Sequence, residues 1–454
     1  MKSASKLSDK QFLKLFFGCI SLCFLIAAIL MPDRNQMFSG LWQIMTQPSK
    51  VATNYFAVGG YAATFLNSAL VGLFCLGIFC LPQSEPNQKS ILAFLLVTGF
   101  TTWGINLLNI IPSTLGVMLY CLVKHEVPGK QVNAVLFSTG AAPLITDLFI
   151  RYPYQEVVGF TWYGLLLGTA IGLLIGFSMP AGIAHSGKVH KDYDLYSAAL
   201  PLGLISFMLQ AIFYNTLGLE IPAVPNPNTL QVASSVIVNS FCAVVFIAAI
   251  LCGLLLFQGT WKQYLRMMTT DNHQADFLKL YGPGVVLLNM GLVGLCILLY
   301  YNLIGVPMNA ITFGCIFCVV SCCGCGSNPR TILPILLGYV AASLGFGYIS
   351  QALGGTFSDI IYAQPIAVGA CFATGMSPIS GRYGAWAGAL AGALHLTMVT
   401  CLPSLHGGFC LYNGGFTAAL VCLMMVPQLE RFCKTRDERV AARSCRKAHL
   451  TNNS

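Results

Sequence analysis

Along this chain apolar residues gather in long runs parted by short polar stretches: 15–31, 55–81, 91–124, 131–150, 157–180, 196–219 and 232–257, then 283–303, 309–325, 331–347, 360–378, 383–402 and 412–427. Several reach the roughly 20 residues that a helix needs to cross a bilayer. The pattern predicts an all-α, polytopic integral membrane protein with about 12 to 14 membrane segments. Lys2, Lys6, Lys10 and Lys14 precede the first run, and no convincing small-residue cleavage site follows it, so it reads as a retained helix.

The stretch 309–347 is interrupted by Gly326-Ser327-Asn328-Pro329-Arg330, with Pro334 a turn later. A diverged copy lies 222 positions upstream, where Gly104, Asn106, Ile110, Pro112, Leu115 and Gly116 stand opposite Gly326, Asn328, Ile332, Pro334, Leu337 and Gly338. The same offset pairs Gly60, Asn67 and Gly72 with Gly282, Asn289 and Gly294. Later matches fall at other offsets: Thr139-Gly140 and Pro143 with Thr374-Gly375 and Pro378, Tyr163-Gly164 with Tyr383-Gly384, and Leu195-Tyr196 with Leu411-Tyr412. The chain therefore reads as a duplication. Residues 1–54 hold the amino terminus, the first helix and a polar loop. Repeat one follows at 55–219, a linker helix and basic loop at 220–280, repeat two at 281–430, and a basic tail at 431–454. The run 232–257 finds no match in the other half and is read as the linker.

Composition agrees with a membrane solvent. Hydrophobic residues make up 56% and charged residues 9%, against about 25% charged in ordinary soluble domains. A net charge of +9 raises nucleic acid as a partner. Its placement, in four amino-terminal lysines and seven basic residues between Arg431 and Lys447, marks membrane flanks instead. Most of the 19 cysteines sit inside apolar runs, where a thiol behaves as a small hydrophobe. Cys315-Ile-Phe-Cys318 has zinc-like spacing but no partner pair in a polar loop.

With the amino terminus inside, and each interrupted segment entering and leaving on one side, most of the 24 Lys and Arg fall on the inner side. Arg34, Lys50 and Arg151 fall outside, and Arg330 lies within the membrane. Copy one then begins outside and copy two inside, which makes the repeats inverted, each with a broken or re-entrant segment.

The stretch His406-Gly407-Gly408-Phe-Cys-Leu-Tyr412-Asn413-Gly414-Gly415-Phe416 resembles an uncharacterised bacterial membrane family known as domain of unknown function 1576, which occurs as tandem copies. The resemblance covers most of 50–430. It implies a bacterial inner membrane and no particular activity. A looser similarity is to urea transporters, inverted duplications with an Asn-Pro-x-Ser-Gly re-entrant segment. Ser377-Pro378-Ile379-Ser380-Gly381 and Leu411-Tyr412-Asn413 are similar in kind, while copy one departs from both at 142–146 and 195–197.

Irregular backbone at membrane depth is tolerated where protein buries it or where it lines a wet cavity. Paired interruptions therefore point to a solute site lined by Asn106, Asn109, Asn328, Arg330, Thr331, Thr374, Ser377, Ser380 and Asn413. The bland alternative is that Pro112 and Pro334 only kink packed helices. Arg330 reads as a pore-lining anion ligand or as an interfacial arginine reaching for headgroups. Asp147 reads as a buried partner for a base or a cation, or as a surface pair with Arg151. The scarcity of buried carboxylates argues against a proton pump. Catalytic carboxylate pairs, a Ser/His/Asp set, a phosphate loop and His-x-x-x-His spacing are absent, so neither enzyme activity nor a cofactor is expected. The expectation is a transporter or channel for a small polar or anionic solute in the inner membrane. Both termini are cytoplasmic, lipid and a small molecule or ion are the partners, and a homo-oligomer is possible. The alternative is a membrane-embedded scaffold or enzyme with no transport role.

Overall fold

The computed structural model describes residues 7–48, 53–152, 154, 156–220, 234–357, 361–442 and 444. Lys2, Lys6, Lys50 and the tail beyond 444 lie outside the described residues. Those described are helical with no strand. Nine helices among them are long and apolar enough to cross a membrane, and four shorter apolar ones accompany these.

Sixteen principal helices divide into two series of eight. The first comprises α1 (Asp9–Leu30), α2 (Tyr61–Phe79), α3 (Gln88–Phe100), α4 (Ile111–Lys124), α5 (Val132–Phe137), α6 (Ala142–Arg151), α7 (Trp162–Val189) and α8 (Ala199–Gln210). The second comprises α9 (Ser235–Leu251), α10 (Phe277–Leu303), α11 (Ala310–Ser321), α12 (Pro329–Ala352), α13 (Gln364–Ala373), α14 (Ser377–Tyr383), α15 (Ala385–Val399) and α16 (Asn413–Phe432).

Local chemistry starts the matched helices in the same way. Asn87 and Asn309, 222 apart, cap α3 and α11 by accepting the first free amides, from Lys89 at 2.9 Å and from Ile311 at 3.0 Å. Gly60 and Gly282 turn the chain into α2 and the body of α10 at φ +86° and +78°, a region that costs a residue with Cβ. Further on, α4 lies along α7 and α12 along α15 at closest approach. A Cβ on Gly116 would come 2.4 Å from the Leu173 carbonyl, and one on Gly338 would come 2.0 Å from that of Ala389.

The linker reading of 232–257 is corrected here. Helix α9 is the counterpart of α1: α1 packs along α2 and α9 along α10. Gly72 of α2 faces Ser21, and Gly294 of α10 faces Phe246. The equivalence escaped the sequence because these outer helices share no residue pattern, only a lipid-compatible composition and a place in the packing.

Matched helices of the two copies meet at the centre. There α3 and α11 cross with the Gly99 and Gly314 backbones in contact, and a Cβ on Gly314 would sit 2.2 Å from the Gly99 carbonyl. They run antiparallel. Thr102, after the end of α3, donates to the Ala310 carbonyl at the start of α11 at 2.7 Å; the Cys325 thiol, after the end of α11, reaches the Gln88 carbonyl at the start of α3 at 3.4 Å. Two further bonds cross between the copies in reciprocal fashion. The Leu195 amide donates to the Gly375 carbonyl at 3.0 Å, and the Leu411 amide to the Gly140 carbonyl at 2.8 Å. Since 140 matches 375 and 195 matches 411, each copy holds the other by the same atoms. The surrounding core is dry: Leu96, Phe100, Cys318, Cys371 and Phe372 are fully or almost fully buried.

Candidate functional site

Each copy carries two helix breaks rather than the one expected. The first separates α3 from α4 and α11 from α12; the second separates α5 from α6 and α13 from α14. A break frees carbonyls at the end of one helix, and in hydrocarbon each must find a donor. The donor at the first break is an asparagine from the neighbouring helix. Asn67 Nδ2 reaches the carbonyls of Thr101 and Ile105, each at 2.8 Å. Asn289 Nδ2 reaches those of Cys323 and Ser327 at 3.1 and 2.7 Å, at the same 222 offset for all three residues.

At the second break the freed carbonyls of Gly140 and Gly375 are taken by the opposite copy, through Leu411 and Leu195. Tyr196 and Tyr412 follow these leucines, and their rings lie against the two glycines. A Cβ at Gly375 would be 2.4 Å from the Tyr196 ring, and one at Gly140 would be 2.7 Å from the Tyr412 ring.

A vestibule of about 560 Å³ opens between the copies beside the Leu195 latch, its wall shared between apolar side chains such as Leu92, Phe137 and Ile183 and the polar Lys89, Lys188, Asp192, Asp194, Ser197 and Gln274. Asp194, 1% exposed, lies deepest. Its Oδ1 accepts the Tyr196 amide at 3.0 Å, while Oδ2 has no partner among the described residues. Burial pushes its carboxyl up to about 8, against the single backbone donor that favours the anion. His190 Nδ1 accepts the Asp194 amide at 3.4 Å, which leaves the Nε2 proton to point at Ser197 Oγ, 3.1 Å away. Burial, with the Lys89 charge in the same direction and Asp192 against it, holds His190 down at about 4 and hence neutral.

The predicted site residues do not converge. Asn106 and Asn109 close on each other in copy one: Asn109 Oδ1 takes the Asn106 amide at 2.9 Å, and its Nδ2 donates to Gly104 O and to Thr146 Oγ1. They seal a break, and neither lines the vestibule. The Asn328 amide donates to Thr331 Oγ1 at 3.1 Å, repeating the Asn106–Asn109 contact at offset 222. The Asn328 carboxamide is buried without a partner among the described residues. Ser377 meets Ser327 at 2.8 Å, and Thr374 bonds back to the Cys371 carbonyl. Asn413 is buried beside the Leu411 latch.

Arg330 stands apart from the predicted common site. It is exposed, with Nη1 on the Met268 carbonyl at 3.0 Å, and it lines a separate cleft with Thr331 and Ser380. A helix that begins at Pro329 puts its second residue at its outer end, which the sequence leaves undetermined. Asp147 pairs with Arg151 at 3.1 Å, and both are largely buried.

Sequence reasoning missed Asp194, His190 and Asn272. Asn272 ties the two breaks of copy two through the carbonyls of Gly326 and Ser377. A signal for the first two was present: His190 precedes Leu195-Tyr196 by the spacing at which His406 precedes Leu411-Tyr412.

No curated protein and no solved structure matches the chain, so the likeness to urea transporters gains no support. The sequence profile described as protein of unknown function (DUF1576) matches residues 33–215 and again 256–431, two tandem copies that take in both latches and all four breaks. Together the two matches cover most of the chain, which therefore belongs to the DUF1576 family.

Proposed function

We propose that this protein is a carrier for a small polar or anionic solute, built from two inverted repeats in a bacterial inner membrane with its basic end in the cytoplasm. One observation carries the reading: the second broken segment of each copy is closed by a loop of the other through reciprocal bonds, Leu195 to Gly375 and Leu411 to Gly140, and a vestibule with charged groups in its wall lies against one of these latches. Carriers commonly bind solutes where discontinuous helices meet at a repeat interface, and they work by moving one repeat against the other. The antiparallel crossing of α3 and α11 supports inversion. A vestibule open at one end above a dry core fits a carrier in one of its two states better than a continuous channel. Lys89 and Lys188 in the wall, set against Asp192 and Asp194, support a small polar solute, and an anion when Asp194 is protonated. Asp194 is placed to couple entry to proton uptake, which revises the sequence argument against proton chemistry.

Flux assays in proteoliposomes across a panel of small anions and polar solutes test this. Asp194→Asn is expected to lower uptake at least about tenfold, the loss of one strong interaction, in a protein that still folds. Full uptake by that variant would remove Asp194 from the mechanism. For orientation, in a background freed of native thiols, an outside reagent should label Leu353→Cys and spare His185→Cys. Equal labelling of both would mean that the repeats are parallel.

The second reading is a scaffold, and the dry core about Leu96, Phe100 and Phe372 favours it. It predicts no uptake of any solute by the wild type and no effect of Asp194→Asn beyond stability.

A further inference from the structure

A second cleft, of about 430 Å³, lies at the same end of the molecule within copy two, where the chain after α16 folds back over the start of α12 and the end of α14. Arg330, Arg436 and Arg439 converge on it, with Thr270, Thr331 and Ser380 beside them. No carboxylate lines it. Two nearby acidic residues are engaged elsewhere: Glu438 accepts the Thr435 amide at 2.7 Å, and Asp271 pairs with Arg382 at 3.8 Å.

The three guanidiniums are held by backbone oxygens, which fix their heads without neutralising them. Arg330 donates to Met268, Arg436 to Thr269, and Arg439 to Tyr383 at 3.0 Å and to Lys434 at 3.2 Å. Each guanidinium carries five N–H donors and stays charged at any physiological pH. Several donors per side chain are thus left for a ligand, and three like charges are gathered with no carboxylate among the residues that line the cleft. Such an arrangement costs repulsion unless an anion with several acceptor oxygens occupies it. Trp386 lies half exposed next to the cleft residues Gly384 and Ala385, a residue type enriched where helices meet lipid headgroups. Copy one has no equivalent site, because Leu108 stands where copy two has Arg330.

We propose that this cleft binds a phosphate group, either free in solution or at the head of a membrane lipid. Bound phosphate fastens the segment 434–442 across the outer ends of α12 and α14, the helices that follow the two breaks of copy two. The site is distinct from the vestibule and stands whether or not the protein transports.

The test uses the full-length protein in detergent at constant ionic strength, titrated in one arm with inorganic phosphate and in the other with a short-chain phosphatidic acid. Thermal unfolding and equilibrium binding are the readouts. Saturable stabilisation by either ligand is expected. Arg330→Leu and Arg436→Ala should each weaken binding about tenfold, as loss of one charge-assisted bond implies. Lys262→Ala, a basic change outside the cleft, should leave affinity as it is. A response to both ligands assigns the site to a soluble phosphate, and a response to the lipid alone assigns it to the bilayer. No saturable response in either arm, or equal affinity in the wild type and the Arg330→Leu/Arg436→Ala/Arg439→Ala variant, overturns the proposal. Should the triple variant fail to fold, Arg330→Leu decides alone, since it installs the residue that copy one already carries.

Discussion

The loops His190–Ser197 and His406–Asn413 occupy equivalent places and perform the same mechanical act. Each follows a helix of its own copy, and each sends a leucine amide into the broken segment of the other copy and lays a tyrosine ring on the glycine there. Among their buried positions, Tyr193 stands opposite Phe409 and Asp194 opposite Cys410. Of the last pair, Asp194 lines the vestibule. Backbone geometry is thus common to both copies, and the buried carboxyl is particular to one. A latch can hold two halves together with backbone alone. A carboxylate with an unpartnered oxygen adds nothing to that hold, and in a buried setting it costs stability whenever it is ionised.

The comparison breaks most severely at the breaks themselves. Asn67→Leu and Asn289→Leu each strand two buried carbonyls, and each should cost about 4 kcal/mol at 1–3 kcal/mol per orphaned group. Chemical or thermal unfolding would read the loss. Equal losses would establish that the two copies bear load alike, whereas a change in only one would show that the other break has a further donor.

At the latch, Gly140→Ala and Gly375→Ala introduce a Cβ at 2.4 Å from Leu202 and from the Tyr196 ring respectively. Each should destabilise by about 2–3 kcal/mol through overpacking. Retained wild-type melting in both variants would contradict the close approach.

Acidity separates the loops. Asp194 has a folded-state value of about 8, above the unfolded value of an aspartate, so the folded protein binds the extra proton. Its contribution is therefore lost as pH rises toward 8. Below about 6.5 the buried His190 and His406, both held at about 4, act in the opposite direction. Asp194 is thus the distinguishing group between pH 6.5 and 8, where the wild type should lose about 2 kcal/mol relative to Asp194→Asn. Parallel stability curves for the two proteins across that window would show that the carboxyl is already ionised. The smallest effect is assigned to Cys410→Ala, at about 1 kcal/mol or less with unchanged uptake. A loss of uptake there, in a stable protein, would mean that the copies share the function that the comparison gives to one.

Much of the frame is legible in the residues. The apolar runs determine helices because a backbone in lipid must bond to itself, and the 222 offset of Gly60, Asn67, Gly104 and Asn106 determines a duplication with matched interruptions. The asparagine that seals each first break was already among those pairs. Its role was not legible, because a carboxamide's partners lie 34 and 38 residues away in sequence and are backbone atoms, which every residue carries. Helix α9 was legible as a helix and not as the mate of α1, since lipid-facing positions accept many residues and retain no pattern.

The site was legible least. Asp194 stands in Lys191-Asp-Tyr-Asp194, which as a string is an ordinary solvated turn, and Arg330 stands between apolar runs, which as a string is a buried charge. The tertiary structure reverses both. Contact with Gly375 of the other copy draws Asp194 inside, and the start of α12 at Pro329 leaves Arg330 at the surface. Burial is a property of what packs around a residue, and for these two the packing comes from chain more than 60 positions away.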